Sequence, residues 1–329
     1  MRRIRIAIIG AAALCATAVL PAFASADCGL PTSNGGDNND FLSGGSTQVF
    51  TGHFDPALNG KFIQIPFDVG SGIKGMKIRY CFTATDPAEN SRPTLDLGVY
   101  GAKPAGADVW NQAQRRGWSG SAVRTIGIGE NGYTDGATYL AGKKNYVPGY
   151  TTRAFKPGPI AAGEWAVELG GGWINPGGQG VDWTVEVTTS TAPEWADATD
   201  DVPADSPYQP YTANPNPGWY TGDMHVHGEM EPGNATMKQT MDLGFKPLSQ
   251  GGNGLDFMTL VDHNNDNSQG ILGRSEYSFP GKLVIPGIEE TTYNGHWNAT
   301  GSSYFADFRF SDVYRWDGNG TSDISDDTV

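Results

Sequence analysis

The sequence predicts a two-part chain, an N-terminal antiparallel β-sandwich followed by an α/β domain with a parallel sheet or barrel. Three observations predict it. From Gly44 to about Thr191, short alternating or β-branched runs are broken by Gly, Pro and Asn, with no long segment of helical period. From Ala192 to Pro217 the chain is rich in Asp, Pro, Ala and Asn and offers no apolar period to bury, which marks a linker. Beyond it, nearly continuous apolar strands alternate with helical stretches, the mark of a sheet buried on both faces.

The chain opens MRRIRIAIIGAAALCATAVLPAFASADCG, with three arginines, an apolar run and the small-residue step Ala24-Ser25-Ala26. This is the layout of a secretory signal peptide over residues 1–26. The alternative is a membrane anchor, but the run holds Gly10 and Pro21 and barely reaches the roughly 20 residues a bilayer requires. Cleavage would remove Arg2, Arg3 and Arg5 and no acid, taking the formal charge from −14 to −17. With such a signal and no other stretch of transmembrane length, the mature protein is expected to be secreted or periplasmic with no membrane association, and a chain so acidic to repel nucleic acid. Between Lys156 and Lys238 there is no Lys or Arg at all. The sequence sets no oligomeric state.

Of three cysteines, Cys15 would leave with the signal. Cys28 and Cys81 then form an even pair in an oxidising compartment, and a disulfide between them is expected. The competing reading, a lipid anchor at Cys28, has Asp27 where a small residue is wanted.

Within residues 27–191 the expected strands are KFIQIPFDV, GMKIRYCFTA, TLDLGVYG, GEWAVELGG and VDWTVEVTT. In the last, period two turns Val181, Trp183, Val185 and Val187 inward and Asp182, Thr184 and Glu186 outward. The Gly-rich stretch from Gly101 to Lys156 is expected to be largely long surface loops, and His53 a surface or loop histidine. In residues 218–310, WYTGDMHVHG precedes a helix over about Ala235 to Lys246, with Met237, Met241 and Phe245 on one stripe and Pro247 as its stop. GLDFMTLVDHN and KLVIPGIEETT follow as strands.

Four of the five histidines fall in this second part: His225, His227, His263 and His296. Period two places His225 and His227 on one face of one strand, where both can reach one ion. Asp262 and His263 end the next strand and Glu289 the third, and the carboxyl end of such strands is where functional groups converge. Imidazole plus carboxylate suits Zn, Mn or Fe, not the all-oxygen site of Ca. By alternation Glu290 faces away from Glu289 and is expected in solvent. There is no G-x-S-x-G elbow and no cysteine in this part, so a serine or cysteine nucleophile is not suggested.

GDMHVH, LVDHN and PGIEETTYNGHWN resemble, in order and spacing, the first motifs of the polymerase-and-histidinol-phosphatase (PHP) metallohydrolases, within them the secreted carbaryl-hydrolase-like branch. Counterparts of that branch's upstream domain are Leu95-Asp96-Leu97-Gly98, Arg116-Gly117-Trp118-Ser119-Gly120, Gly158-Pro159 and Gly163-Glu164-Trp165. The resemblance covers about Gly60 to Gly301. It implies a distorted seven-stranded β/α barrel with two or three divalent metals. It makes His225 and His227 ligands of one metal, His263 a ligand of its neighbour, Glu289 the bridging carboxylate and His296 a further ligand. Asp262 is implied as an orienting carboxylate behind an imidazole, or else as a strand-end cap. Where the family carries an acid after the second histidine this chain has Pro232, and Glu231 is the nearest substitute.

The family completes its site with further histidines and an Asp-x-His pair, whereas no histidine follows His296. About 110 residues run from Trp219 to Val329, against roughly 200 or more for a β/α barrel, so an incomplete barrel is expected. The acidic, Gly-rich tail 311–329 carries Asp317, Asn319, Thr321 and Asp323 in the rhythm of a calcium loop but lacks the later Glu, and is expected to be disordered. The function expected is a secreted metal-dependent hydrolase of a small phosphoester, carbamate or carboxyl ester. The alternative is an extracellular binding protein whose sandwich recognises a glycan or surface.

Overall fold

In VDWTVEV the apolar residues recur at every second position, and Val181, Trp183, Val185 and Val187 all enter one core. The computed structural model describes residues 46–88, 92–134, 146–196, 206–228, 235–302 and 304–318. In chain order the strands are β1 (Ser46–Phe54), β2 (Phe62–Val69), β3 (Gly75–Ala84), β4 (Thr94–Tyr100), β5 (Arg115–Gly120), β6 (Thr125–Gly129), β7 (Gly163–Trp173) and β8 (Val181–Ser190). Then come β9 (Gly222–Val226), helix α1 (Met237–Phe245), β10 (Phe257–Leu260), β11 (Leu283–Thr292), β12 (Gly295–Thr300) and β13 (Val313–Arg315). The chain is mostly β-sheet, with a single α-helix among the described residues.

Strands β1-β8-β3-β6 form one sheet and β13-β2-β7-β4-β5 another. All pairs within them are antiparallel except β13 on β2. One core takes side chains from both sheets, among them Ile63, Ile65 and Phe67 of β2 and Met76, Ile78 and Tyr80 of β3. All five runs expected as strands are strands. Cys81 of β3 is buried and engaged in a disulfide; its expected partner Cys28, like the expected signal peptide, lies outside the described residues.

One expectation in this region is refined and three are corrected. The stretch from Gly101 to Lys156 is not only loop, since it contributes β5 and β6. These strands escape a periodicity search because they are built around glycine: Gly117 sits at φ 146°, and a Cβ there would lie 2.2 Å from the Ala154 carbonyl oxygen. His53 is in β1 opposite Asp182, and its Nδ1 lies 2.8 Å from the Asp182 carboxylate, so neither stands free in solvent. Thr184, expected outward, is buried. The tail does not leave the fold at 311: β13 adds to the edge of β2, Tyr314 is buried, and Trp316 packs on Trp183 and Phe50. The calcium-like positions beyond Asp317 lie outside the described residues.

The expected linker is docked at both ends. Trp195 is fully buried beside Gly75, Gly127 and Gly129, while Tyr208 packs against the second core.

The third sheet has the order β12-β11-β10-β9, with β9, β10 and β11 parallel and β12 folded back antiparallel on β11. Met237, Met241 and Phe245 of α1 are buried against Met258 and Leu260 of β10. Thr236 and Gln239 cap the helix reciprocally, contributing about 1 kcal/mol, and Pro247 follows its end. No helix among the described residues is long and apolar enough to cross a membrane.

The two regions meet closely. Tyr293, at the β11–β12 turn, stacks on Phe62 at 5.3 Å, and a Cβ on Gly170 would strike its hydroxyl. Residues 305–310, assigned from sequence to the second part, return to the first: Phe308 packs on Phe62 and Trp118, and Arg309 pairs with Glu168 at 2.7 Å.

Candidate metal centre

Strand alternation on β9 points the side chains of His225 and His227 to one side, their ring centroids 5.1 Å apart. Beside them, β11 carries Glu289 inside the strand rather than at its end, paired with Asn298 of β12. The hairpin also delivers His296, opposite Thr291. His263, three residues past β10, bridges to Glu289 through the backbone.

Four imidazoles thereby surround one carboxylate that is 2 % exposed. Glu289 Oε2 lies 2.9 Å from His225 Nε2, 3.2 Å from His227 Nε2 and 3.4 Å from His263 Nδ1, while Oε1 lies 2.8 Å from His296 Nδ1. Burial works against ionisation of Glu289, but the imidazoles outweigh it and hold the carboxyl below its ordinary range.

Two of these contacts conflict by hydrogen bonding alone. His225 Nε2 and His227 Nε2 are 3.1 Å from each other as well as from the same oxygen. If both carry protons the two N–H groups oppose each other; if either does not, its lone pair faces a carboxylate oxygen. A cation between them removes the conflict when both Nε2 atoms are unprotonated, since it takes both lone pairs and the carboxylate oxygen together. Bonds of 2.0–2.1 Å in a tetrahedral shell set donor–donor edges of roughly 3.3 Å, close to the 2.9–3.2 Å found here. Two groups fit an ion: His225, His227 and Glu289, and His263, Glu289 and His296.

Asp262, 1 % exposed, accepts from the Gly228 N–H at 2.6 Å and from the Ser268 hydroxyl. It thus ties down the chain immediately after His227. Glu231 lies outside the described residues. Glu290 corrects an expectation. It does face away from Glu289, yet it is 1 % exposed, and neither carboxylate oxygen finds hydrogen-bond geometry with a donor among the described residues. Burial pushes its carboxyl up to about 7, only partly offset by Arg115 and the Ala306 N–H.

Sequence reasoning missed the groups that hold the site together. Asn264 adopts φ 44°, a left-handed conformation Asn tolerates better than most residues. Its side chain accepts from Thr291 N–H at 2.8 Å and donates to the Thr291 carbonyl at 3.0 Å, locking the His263 loop to β11. The Thr291 hydroxyl touches His263 Nδ1. From the first region, buried Arg115 donates to the Asn264 carbonyl at 2.9 Å and to Asp266 at 2.8 Å, and Lys156 reaches the same carboxylate at 2.9 Å. Burial opposes ionisation of Asp266, yet the two cations hold its carboxyl below the usual value. An Asn after His and an arginine in RRGWSG were visible, but nothing local says that they meet.

The chain matches no model of a known protein family, and no curated protein matches it.

Proposed function

We propose that this chain is a secreted metal-dependent hydrolase of PHP type. In this reading the two N-terminal sheets form its β-sandwich, and the β9-to-β12 sheet with α1 is the first part of a β/α barrel. His225, His227 and Glu289 would hold one divalent ion, Zn, Mn or Fe, and His263 and His296 a second, with Glu289 shared. The observation that carries the reading is the convergence of His225 and His227 on one Glu289 oxygen, a geometry that hydrogen bonds alone leave in conflict. When bound, such ions lower the pKa of water toward neutrality and polarise an ester or phosphoryl oxygen. The chain's own part is to hold the donors: Asp262 fixes the turn after His227, and Asn264 and Arg115 fix the His263 loop. A small phosphoester, carbamate or carboxyl ester is the substrate class.

The test is elemental analysis of the purified protein, coupled to a generic phosphodiester and aryl-ester assay with and without chelator. Expected are bound Zn, Mn or Fe and turnover that the chelator removes, with His225→Ala losing one ion's worth of metal and at least about a hundredfold in rate. A preparation that takes up none of the three metals, or a His225→Ala protein unchanged in both readouts, sinks the proposal.

A further inference from the structure

A cleft of about 430 Å³ lies between the first region and the β11–β12 hairpin, within the size range of small-molecule sites. Trp118, Trp173 and Tyr293 give it aromatic surface, Asp96 lines it from β4, and His263 and His296 reach it from the candidate metal centre. None of its described lining residues is Lys or Arg, and the one guanidinium that acts on Asp96, Arg124, is not among the lining residues. Asp96 is 7 % exposed, while Trp173, at 42 %, leaves ring surface open for stacking. Burial pushes the Asp96 carboxyl up to about 6, held from rising further by the Tyr293 hydroxyl, Arg124 and the Ser121 N–H. It is therefore mainly a carboxylate at neutral pH, with aromatic faces beside it that favour a cation.

We propose that this cleft binds the part of the substrate remote from the bond that breaks, and that Asp96 makes it selective for a planar aromatic group bearing a cationic or N–H-donating nitrogen. The word substrate rests on the hydrolase reading; the binding preference stands on the cleft alone. Asp96 acts as a specificity residue, since its carboxylate attracts an amidinium, accepts from an amide and repels a carboxylate placed against the same ring.

Benzamidine, benzamide and benzoate share ring and size and differ in charge. Their binding to the full chain is measured by calorimetry or ligand-observed NMR, after chelation because a metal would itself attract benzoate. Expected is benzamidine tightest and benzoate weakest, at least about tenfold apart, as one partly desolvated charge pair gives. In Asp96→Asn, which is nearly isosteric, benzamidine falls to within about twofold of benzamide. Trp173→Ala weakens all three. The wild-type ranking needs no variant and so carries the test should Asp96→Asn misfold. Equal binding of benzamidine and benzoate, or an unchanged ratio in a folded Asp96→Asn protein, overturns the proposal. A ranking intact in a protein that takes up no metal overturns the hydrolase reading alone. Metal and turnover with a flat ranking overturns this one alone.

Discussion

Glu168 in the first region and Glu289 in the second are both buried acids, 1 % and 2 % exposed, and they are surrounded in opposite ways. Glu168 faces a guanidinium, Arg309 at 2.7 Å, with Gln64 at 3.0 Å and the Tyr100 hydroxyl at 3.3 Å. Each of these groups can only donate in that position, so the cluster is closed within the protein. Glu289 faces four imidazoles, each 32–48 % exposed, whose nitrogens crowd one another as well as the carboxylate. That cluster is of imidazole and carboxylate donors, and two sets of three of them lie close enough together to hold an ion. The difference separates a carboxylate that joins two parts of a fold from one whose neighbours are of the donor type that the proposed metal centre requires.

The largest expected effect breaks this comparison from the closed side. Arg309→Leu leaves Glu168 buried without its cation and should cost about 3–5 kcal/mol in denaturant unfolding. Glu289→Gln, in chelator, should change stability by less than about 1 kcal/mol, because it relieves crowding instead of stranding a charge. Equal losses in the two variants would mean that Glu289 too is a structural acid.

Glu290 sharpens the contrast, being buried beside the centre with no such closure. Its carboxyl lies near 7 in the fold and near 4.5 unfolded, so between those values the folded state holds the extra proton. Its contribution to stability is therefore complete below about pH 4.5 and is lost as pH rises to 7 and beyond, on the order of 2 kcal/mol. In Glu290→Gln that fall should disappear, measured as the difference in unfolding free energy between pH 5 and pH 8. A wild-type protein equally stable at both would contradict the assignment. The smallest effect belongs to His53 and Asp182, a partly exposed pair: His53→Asn should cost below about 1 kcal/mol in the same experiment and leave metal content unchanged.

How much of this was legible follows from what each feature depends on. His225 and His227 share a face because two residues is the period of a strand, and Met237, Met241 and Phe245 share one because four residues is close to a helical turn; both are local. Glu290 shows the limit. Alternation set its direction, but the expectation of solvent assumed an open face, and that face is covered where the first region supplies Arg115 and the returning segment supplies Ala306 and Asp307. The tail is similar: composition marked residues 311–329 as unable to build a core, yet three of them suffice to extend an edge already there, since the partner strand provides the hydrogen bonds.

The sequence by itself determined eight of the thirteen described strands, helix α1, the donor types at the site and the pairing of faces along those strands, because these rest on period, side-chain chemistry and neighbours a few residues away. Only the tertiary structure decided that one carboxylate stands among four imidazoles, that Asn264 and Arg115 hold His263 in place, and that Asp96 and the tryptophans border the same centre. Those facts depend on bringing together residues up to about 200 positions apart, such as Asp96 and His296, which line one cleft because of how two cores pack and by no local preference of the chain.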